Sequence, residues 1–214
     1  MAMRAYDDLY LPYAQNALGH TVDFAVMTLG IDPQHFGEAF AVSSVSKQFA
    51  RGNPSYVAGK NGCELAREIL DETHIPYTDA EDILFLDKSP EYWAGWALAY
   101  DQWYCNISFS EILKAVSLEQ IIAMYPLYHE MDLSNFIEQM DRLIKKNDPH
   151  TRLRQRRDTA GMSQAELAKA ADVPLRQIQL FEQGQRNINK TSAMTLYQLS
   201  KALCCRMEDL MEPG

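Results

Sequence analysis

The chain has few cysteines, and their arrangement excludes two common roles. Among its 214 residues there are four, and none is paired at Cys-x-x-Cys spacing: Cys63, Cys105, Cys204 and Cys205. The adjacent pair cannot form a relaxed disulfide. Its five histidines are scattered singly, so His and Cys do not recur at metal-ligand spacing. We therefore expect no disulfide framework, no metal site and no cofactor.

The chain also lacks a long apolar run and a leader pattern. No stretch reaches the roughly 18 apolar residues of a membrane span, and no charged segment followed by an apolar one opens the chain. With 47% hydrophobic residues, it is nevertheless too apolar for wholesale disorder. These features predict a folded cytoplasmic protein that has no membrane partner.

Two stretches approach catalytic motifs but lack the residues that define them. In the loop from Gly52 to Gly62, Pro54 stands where a phosphate loop needs its first glycine. His129 begins like a zinc-protease motif, but Leu133 occupies the place of the second histidine. No nucleophile, base and orienting residue recur at a recognisable spacing in residues 1–147. We predict that the protein is not an enzyme, with a DNA-tethered enzyme as a remaining hypothesis.

Positive charge is scarce in the first two thirds of the chain. Residues 1–147 contain 10 Lys and Arg against 21 Asp and Glu, whereas residues 148–214 contain 10 against 8. DNA repels an acidic surface, so the first segment is expected to face a protein or a small ligand. The segment 145–149 is the predicted linker. We therefore predict two domains, residues 1–147 as an acidic partner or dimerisation domain and residues 148–214 as a second domain.

The first domain carries the start signals and apolar periodicities of helices. One amphipathic helix is predicted from Asp7 to Leu29, and Asp32-Pro33 opens a second that extends to about Arg51. Further helices are expected over 63–72, after Ser89, after the capping boxes at Ser108 and Ser117, and after Asp132. The apolar run at 83–86 is compatible with helix or strand. The expected fold of this domain is helical.

One predicted helix contains all three tryptophans. Aromatic side chains recur at three- and four-residue steps from Tyr92 to Tyr104. This pattern is typical of a core helix with a broad apolar face, which is the interpretation we favour. The alternative is a partner or ligand groove in which Trp and Tyr act as hot spots. The candidate groove residues are Trp93, Trp96, Tyr100 and Trp103.

Two short helices joined by a tight turn are predicted within residues 163–184. Ser163 with Glu166 three residues later forms a capping box at a helix start. Pro174 interrupts that helix and suits the first turn of the next one. In the second helix Ile178 and Phe181 share one face, while polar residues point elsewhere. The second helix is therefore predicted to have an apolar face directed inward and a polar face directed outward.

This pattern and its continuation resemble the phage-repressor (XRE-like) helix-turn-helix family over residues 150–210. The resemblance implies an all-α protein whose C-terminal part is a five-helix DNA-binding domain, with the helix starting at Pro174 in the major groove. By position, Gln164 is implied to contact phosphate. The base-facing positions fall on Leu175, Arg176 and Leu180. The resemblance also implies a structural ion pair between Arg157 and Glu182.

The segment departs from the family pattern in places that affect base reading. Leu175 and Leu180 stand where polar residues are common, so Gln177 and Gln179 are expected to share the reading, with apolar contacts to thymine methyls. Pro174 replaces the usual Ser or Thr cap. The cations expected to face phosphates are Arg152, Arg186 and Lys190. A helical packing module that has lost DNA binding is the alternative interpretation.

The whole chain is also similar to a group of Gram-positive regulators that join a helical N-terminal domain to an XRE-like domain. The segments that carry this similarity are 52–59, 92–100 and 125–130. Genes of this group look like members of toxin-antitoxin-type loci, some beside a predicted ADP-ribosyltransferase-like toxin. We predict a homodimeric transcriptional repressor that binds a double-stranded operator. The alternative is an antitoxin and autorepressor whose N-terminal domain neutralises a toxin encoded by an adjacent gene.

Overall fold

The computed structural model describes residues 4–82, 88–147 and 150–212. Every regular element in these ranges is helical, so the predicted all-α fold is confirmed. The chain forms two compact units, Met1–Asn147 and Asp148–Gly214. No helix within the described ranges combines the length and apolarity needed to cross a membrane. The apolar run at positions 83–86 lies outside the described residues.

Ten α-helices form the described part of the first unit. A 3-10 turn, Asp8–Tyr10, leads into the first of them, and one π-helical turn, Phe24–Thr28, follows it. The helices are α1 Leu11–Asp23, α2 Pro33–Val42, α3 Ser44–Ala50, α4 Pro54–Val57, α5 Gly62–Glu72, α6 Pro90–Cys105, α7 Phe109–Ala115, α8 Leu118–Ala123, α9 Tyr125–Tyr128 and α10 Leu133–Asn147.

Several predicted helix bounds were wrong. The helix expected from Asp32 to Arg51 is split at Ser43, whose extended backbone (ψ 158°) and side chain cap α3 by accepting from the Ser46 amide. The loop after Gly52 contains the short helix α4, which the Asn53 side chain caps. Helix α10 runs through 145–147, the first part of the predicted linker. At Ser43 and Asn53 a capping side chain starts a helix that the sequence analysis did not predict, and at residues 145–147 the helical pattern continues into the predicted linker.

Helices α1 and α6 pack so closely that glycine is needed at their contact. A Cβ on Gly95 would lie 2.4 Å from the Leu18 carbonyl oxygen, and a Cβ on Gly19 would lie 2.7 Å from the Tyr92 ring. The apolar residues of α6 that this packing buries include Ala94, Ala97, Leu98 and Ala99, none of them measurably exposed. The aromatic-rich helix is therefore the central core helix of the first unit.

Four α-helices and two 3-10 turns form the described part of the second unit. The helices are α11 Arg152–Thr159, α12 Gln164–Ala171, α13 Leu175–Glu182 and α14 Ala193–Ala202, and the turns are Ile188–Lys190 and Glu208–Leu210. Where a fifth helix was expected, the chain makes the second of these turns and buries Leu210 completely. The core shared by these elements consists of Leu153, Leu167, Ala171, Val173, Ile178, Phe181, Ile188, Leu199, Leu203 and Leu210.

Candidate nucleic-acid interface

The turn between α12 and α13 is fixed by local hydrogen bonds and one left-handed residue. Ser163 and Glu166 form the predicted capping box, with the Ser163 amide donating to the Glu166 carboxylate at 2.7 Å and the Glu166 amide donating to the Ser163 hydroxyl at 3.2 Å. Asp172 ends α12 at φ 51°, which Asp tolerates better than most residues. Pro174 then precedes α13 with no side-chain cap. The result is two short helices joined by a three-residue turn.

Helix α13 has a buried face and an accessible face. Ile178 is completely buried and Phe181 is 2% exposed, so both belong to the core of the second unit. Leu175, at the start of the helix, is 39% exposed. Arg176 beside it is exposed, and the described chain offers its guanidinium no hydrogen-bond or ion-pair partner.

The other predicted base-facing residues are less accessible than Arg176. Gln179 and Leu180 are half-buried. Gln177 is also half-buried, and its amide nitrogen lies 3.4 Å from the Thr191 hydroxyl, a long hydrogen bond that can exchange for a better acceptor. The exposed start of α13 therefore consists of Leu175 and Arg176, with the glutamines beside it.

A buried ion pair connects the last residue of α13 to α11. The Arg157 guanidinium on α11 donates to both carboxylate oxygens of Glu182, at 2.7 and 3.0 Å. The Glu182 side chain is 2% exposed, and its hydrogen bond to Arg157 raises the pKa of that arginine. A third guanidinium nitrogen–hydrogen group donates to the Met162 carbonyl at 2.7 Å. Because the bidentate geometry is rigid, this pair fixes the end of α13 relative to α11.

Gln164 belongs to the same network. Its side-chain amide donates to Glu182 at 2.8 Å, so one side chain from α11 and one from α12 both donate to a single carboxylate on α13. Gln164 is expected to contact phosphate, and its amide nitrogen carries two N–H groups, one of which donates to Glu182. Backbone amides at the start of a helix also suit a phosphate.

The cations expected to contact phosphate differ in accessibility. Arg152 is 6% exposed, and its guanidinium donates to the Met211 carbonyl at 2.6 Å, so it supports the fold and we exclude it from the phosphate-contacting set. Arg186 and Lys190 follow α13 and are both exposed. The Arg186 guanidinium lies 5.7 Å from the Phe181 ring centroid, which places that cation next to α13.

A second set of contacts in this unit joins Asn189, Glu212 and Arg152, and no local sequence pattern predicts it. The Asn189 side chain donates to the Glu212 carbonyl at 2.7 Å and accepts from the Glu212 amide at 2.8 Å. The Glu212 carboxylate also accepts from the Arg152 amide at 2.9 Å. These contacts span more than twenty residues, so only the fold reveals that Asn189 anchors the end of the described chain.

The candidate aromatic groove residues in the first unit do not lie together. Trp93 and Trp96 line one cleft, beside Tyr125 and Tyr128. Tyr100 and Trp103 contact each other instead, with ring centroids 5.7 Å apart. The Trp103 indole nitrogen donates to the Tyr6 carbonyl at 2.8 Å, which fixes that ring in the packing of the N-terminal segment. Sequence spacing alone could not separate these two pairs.

The thiols and acidic side chains show no metal-binding geometry. Within the described ranges, no group of three or more His, Cys, Asp and Glu side chains could hold a metal ion. Burial raises the pKa of Cys63 to about 11 and that of Cys205 to about 11. Both thiols are therefore protonated at neutral pH and poor nucleophiles.

The helix-turn-helix family model matches residues 153–210. This segment is a helix-turn-helix domain. An uncharacterized HTH-type transcriptional regulator, y4wC of Sinorhizobium fredii, is 41% identical over 73 residues, or 33% of this chain and 49% of that protein. The chain thus covers about half the length of this relative. No solved structure matches the chain.

The resemblance to the phage-repressor type of helix-turn-helix protein is confirmed for this segment. Within the helix-turn-helix domain, α12 and α13 are the two motif helices and the residues around Asp172 form the turn between them. The helix that presents Leu175 and Arg176 is therefore the second motif helix, the position that reads bases in proteins of this architecture.

Proposed function

We propose that the protein is a sequence-specific transcriptional repressor whose helix-turn-helix domain binds double-stranded DNA. The observation that carries this proposal is the unpartnered guanidinium of Arg176 at the exposed start of the second motif helix. An arginine held by internal contacts would support a packing role. Arg176 instead faces solvent beside the exposed Leu175, and the opposite face of its helix is buried. This arrangement supports contact with a partner molecule such as DNA.

Each accessible group near α13 has a role suited to its chemistry. Arg176 donates two hydrogen bonds to the O6 and N7 atoms of a guanine, the commonest specific arginine contact in the major groove. Leu175 packs on a thymine methyl, and Gln177 and Gln179 contribute to base reading at neighbouring positions. Arg186 and Lys190 contact phosphates and orient the domain without reading sequence.

The proposed binding unit is a homodimer on an inverted repeat. One short recognition helix contacts too few base pairs for useful discrimination, and two copies related by a two-fold axis read two half-sites about one helical turn apart. The mass of the full chain and of its complex with the DNA upstream of its own gene, combined with footprinting, tests this arrangement. Two symmetric protected half-sites support it, and a monomer on one asymmetric site contradicts it.

The acidic first unit favours a second candidate function, that of an antitoxin. Its 10 cationic against 21 anionic side chains suit electrostatic attraction to a basic protein, such as a toxin encoded by an adjacent gene. Co-expression of the full chain with the adjacent gene product tests this role. A complex whose association slows as salt rises supports it, and separate elution at low salt removes it while leaving DNA binding untouched.

A further inference from the structure

A cleft of about 340 Å³ opens in the first unit beside the start of α6. Five aromatic side chains from α6 and α9 line it, namely Tyr92, Trp93, Trp96, Tyr125 and Tyr128. Trp93 and Tyr125 meet edge to face with centroids 5.8 Å apart, and Trp93 packs in the same manner on buried Phe136 at 5.4 Å. The floor of the cleft is therefore anchored in the core, as in preformed sites for small molecules.

The described side chains that line this cleft differ in charge from the unit around it. Although the first unit has a large excess of acidic residues, the described lining residues include one lysine, Lys88, and no Asp or Glu. The Lys88 ammonium lies 4.1 Å from the Tyr92 ring centroid and 3.4 Å from the His20 imidazole. Carboxylates lie near the lining residues: Glu130, which is 85% exposed, is 3.6 Å from His129, and burial together with the charge of Asp23 raises the pKa of Tyr92.

Several polar groups of the lining residues can donate hydrogen bonds to an anion. The indoles and the Lys88 ammonium can only donate, the Tyr125 and Tyr128 hydroxyls can donate or accept, and the Tyr92 hydroxyl already donates to Asn16 at 2.5 Å. An aromatic cleft without its own cation would suit a cationic ligand through ring faces. Here Lys88 already occupies a ring face, and a second cation would meet its repulsion.

We propose that this cleft binds a small planar aromatic molecule that carries an anionic group. The rings of Trp93, Trp96 and Tyr125 contact the planar part, and Lys88 pairs with the carboxylate or phosphate. This site lies in the first unit and does not depend on the proposed DNA-binding function. It also reassigns the sequence-based groove, because Trp93 and Trp96 belong to it whereas Tyr100 and Trp103 do not.

Three probes of one shape and different charge test the proposal on the full chain. They are 1-naphthoate, 1-naphthylmethanol and 1-naphthylmethylammonium, titrated by calorimetry at low and moderate salt. The anion should bind up to about fivefold more tightly than the alcohol, the range expected for one exposed ion pair, and the cation should bind most weakly. This preference should shrink as salt rises.

Two variants and two matched controls locate the binding. Lys88→Gln should remove the preference for the anion, and Trp96→Ala should weaken all three probes about tenfold, as loss of one stacking ring does. The controls are Lys47→Gln, at an exposed lysine, and Tyr13→Ala, at an exposed aromatic residue, and neither residue lines the cleft. These control variants should bind all three probes with wild-type affinity, and circular dichroism verifies the fold of each variant.

Three results would overturn the proposal. The first is no binding of any probe at millimolar concentration, which would favour a macromolecular occupant for the cleft. The second is equal or tighter binding of the cation. The third is unchanged affinity in both Lys88→Gln and folded Trp96→Ala, which would place the bound probe elsewhere on the protein.

Discussion

Arg157 and Glu182 form a buried bidentate ion pair that joins the first helix of the helix-turn-helix domain to the last residue of its recognition helix. A carboxylate at a helix C-terminus is unfavourable because the helix dipole is negative there. Arg157 and Gln164 offset that cost by donating three hydrogen bonds to it. The position of α13 is thus coupled to a network at the opposite end of the helix from Arg176.

Breaking this pair should destabilise the domain strongly. Arg157→Ala leaves the Glu182 carboxylate, 2% exposed, without its main partner. We expect a loss of about 3 to 5 kcal/mol in the free energy of unfolding, measured by urea denaturation. Arg154→Ala is the matched control, since Arg154 is 45% exposed and lies 3.6 Å from Asp158. That control should cost less than about 1 kcal/mol, and equal losses in the two variants would contradict the assigned role.

Arg176→Ala should reduce affinity for the cognate duplex without altering stability. Loss of a bidentate contact to guanine costs about 1 to 3 kcal/mol and relaxes preference at that base pair. Fluorescence anisotropy on cognate and scrambled duplexes measures the change. Arg142→Ala, at an exposed arginine of the first unit, is the control for loss of one charge. If both variants bind cognate DNA like the wild type, α13 is not the base-reading helix.

The two exposed cations after α13 should act differently from the buried Arg152. Arg186→Ala and Lys190→Ala should each weaken cognate and scrambled duplexes alike and reduce the slope of log affinity against log salt by about 1. Arg152→Ala should instead lower thermal stability, because its guanidinium donates to Met211 within the fold. A normal melting temperature for Arg152→Ala, with a reduced salt slope, would restore it to the phosphate-contacting set.

The buried Asp101 predicts a specific pH dependence of stability. Desolvation raises its pKa to about 7, since one carboxylate oxygen has no partner and the other accepts only the Cys105 thiol at 3.7 Å. Between its ordinary value near 3.8 and about 7, the folded state holds a proton that the unfolded state releases. The contribution of Asp101 to stability should therefore fall as pH rises through this window, by at most about 1.4 kcal/mol per pH unit.

Asp101→Asn isolates this effect. Asparagine does not titrate, so the free energy of unfolding should decrease less between pH 4 and 7 in the variant than in the wild type. The difference in this free energy between the two proteins should grow with pH until about pH 7. Chemical denaturation across pH 4 to 8 measures both curves. Parallel curves for the wild type and the variant would show that Asp101 does not titrate in this range.

Sequence reasoning succeeded where the determinants are local. The capping boxes at Ser108, Ser117 and Ser163 each begin a helix in the structure, because the serine hydroxyl and the Glu or Gln side chain three residues later act within one turn. It failed at Ser43, where the serine caps a new helix within an apolar pattern that continues across the break. Helical periodicity does not reveal a change of helix axis when both helices bury apolar residues.

Properties that depend on distant contacts were not accessible from the sequence. Arg152 looks like an exposed cation in a run of four arginines, and its burial depends on the return of the chain near Met211. The aromatic cleft likewise joins rings from α6 with rings from α9, about thirty residues later in the chain. Spacing within one helix therefore grouped the wrong tryptophan, Trp103, with Trp93.

The most direct test of the central claim is selection from a random duplex pool by the full chain, followed by sequencing of the bound DNA. The account predicts an inverted repeat with one strongly preferred guanine in each half-site. In Arg176→Ala, the preference for that guanine should be lost while the repeat and its spacing persist. A bound pool that matches the input composition, or one unchanged by Arg176→Ala, would contradict the placement of α13 in the major groove.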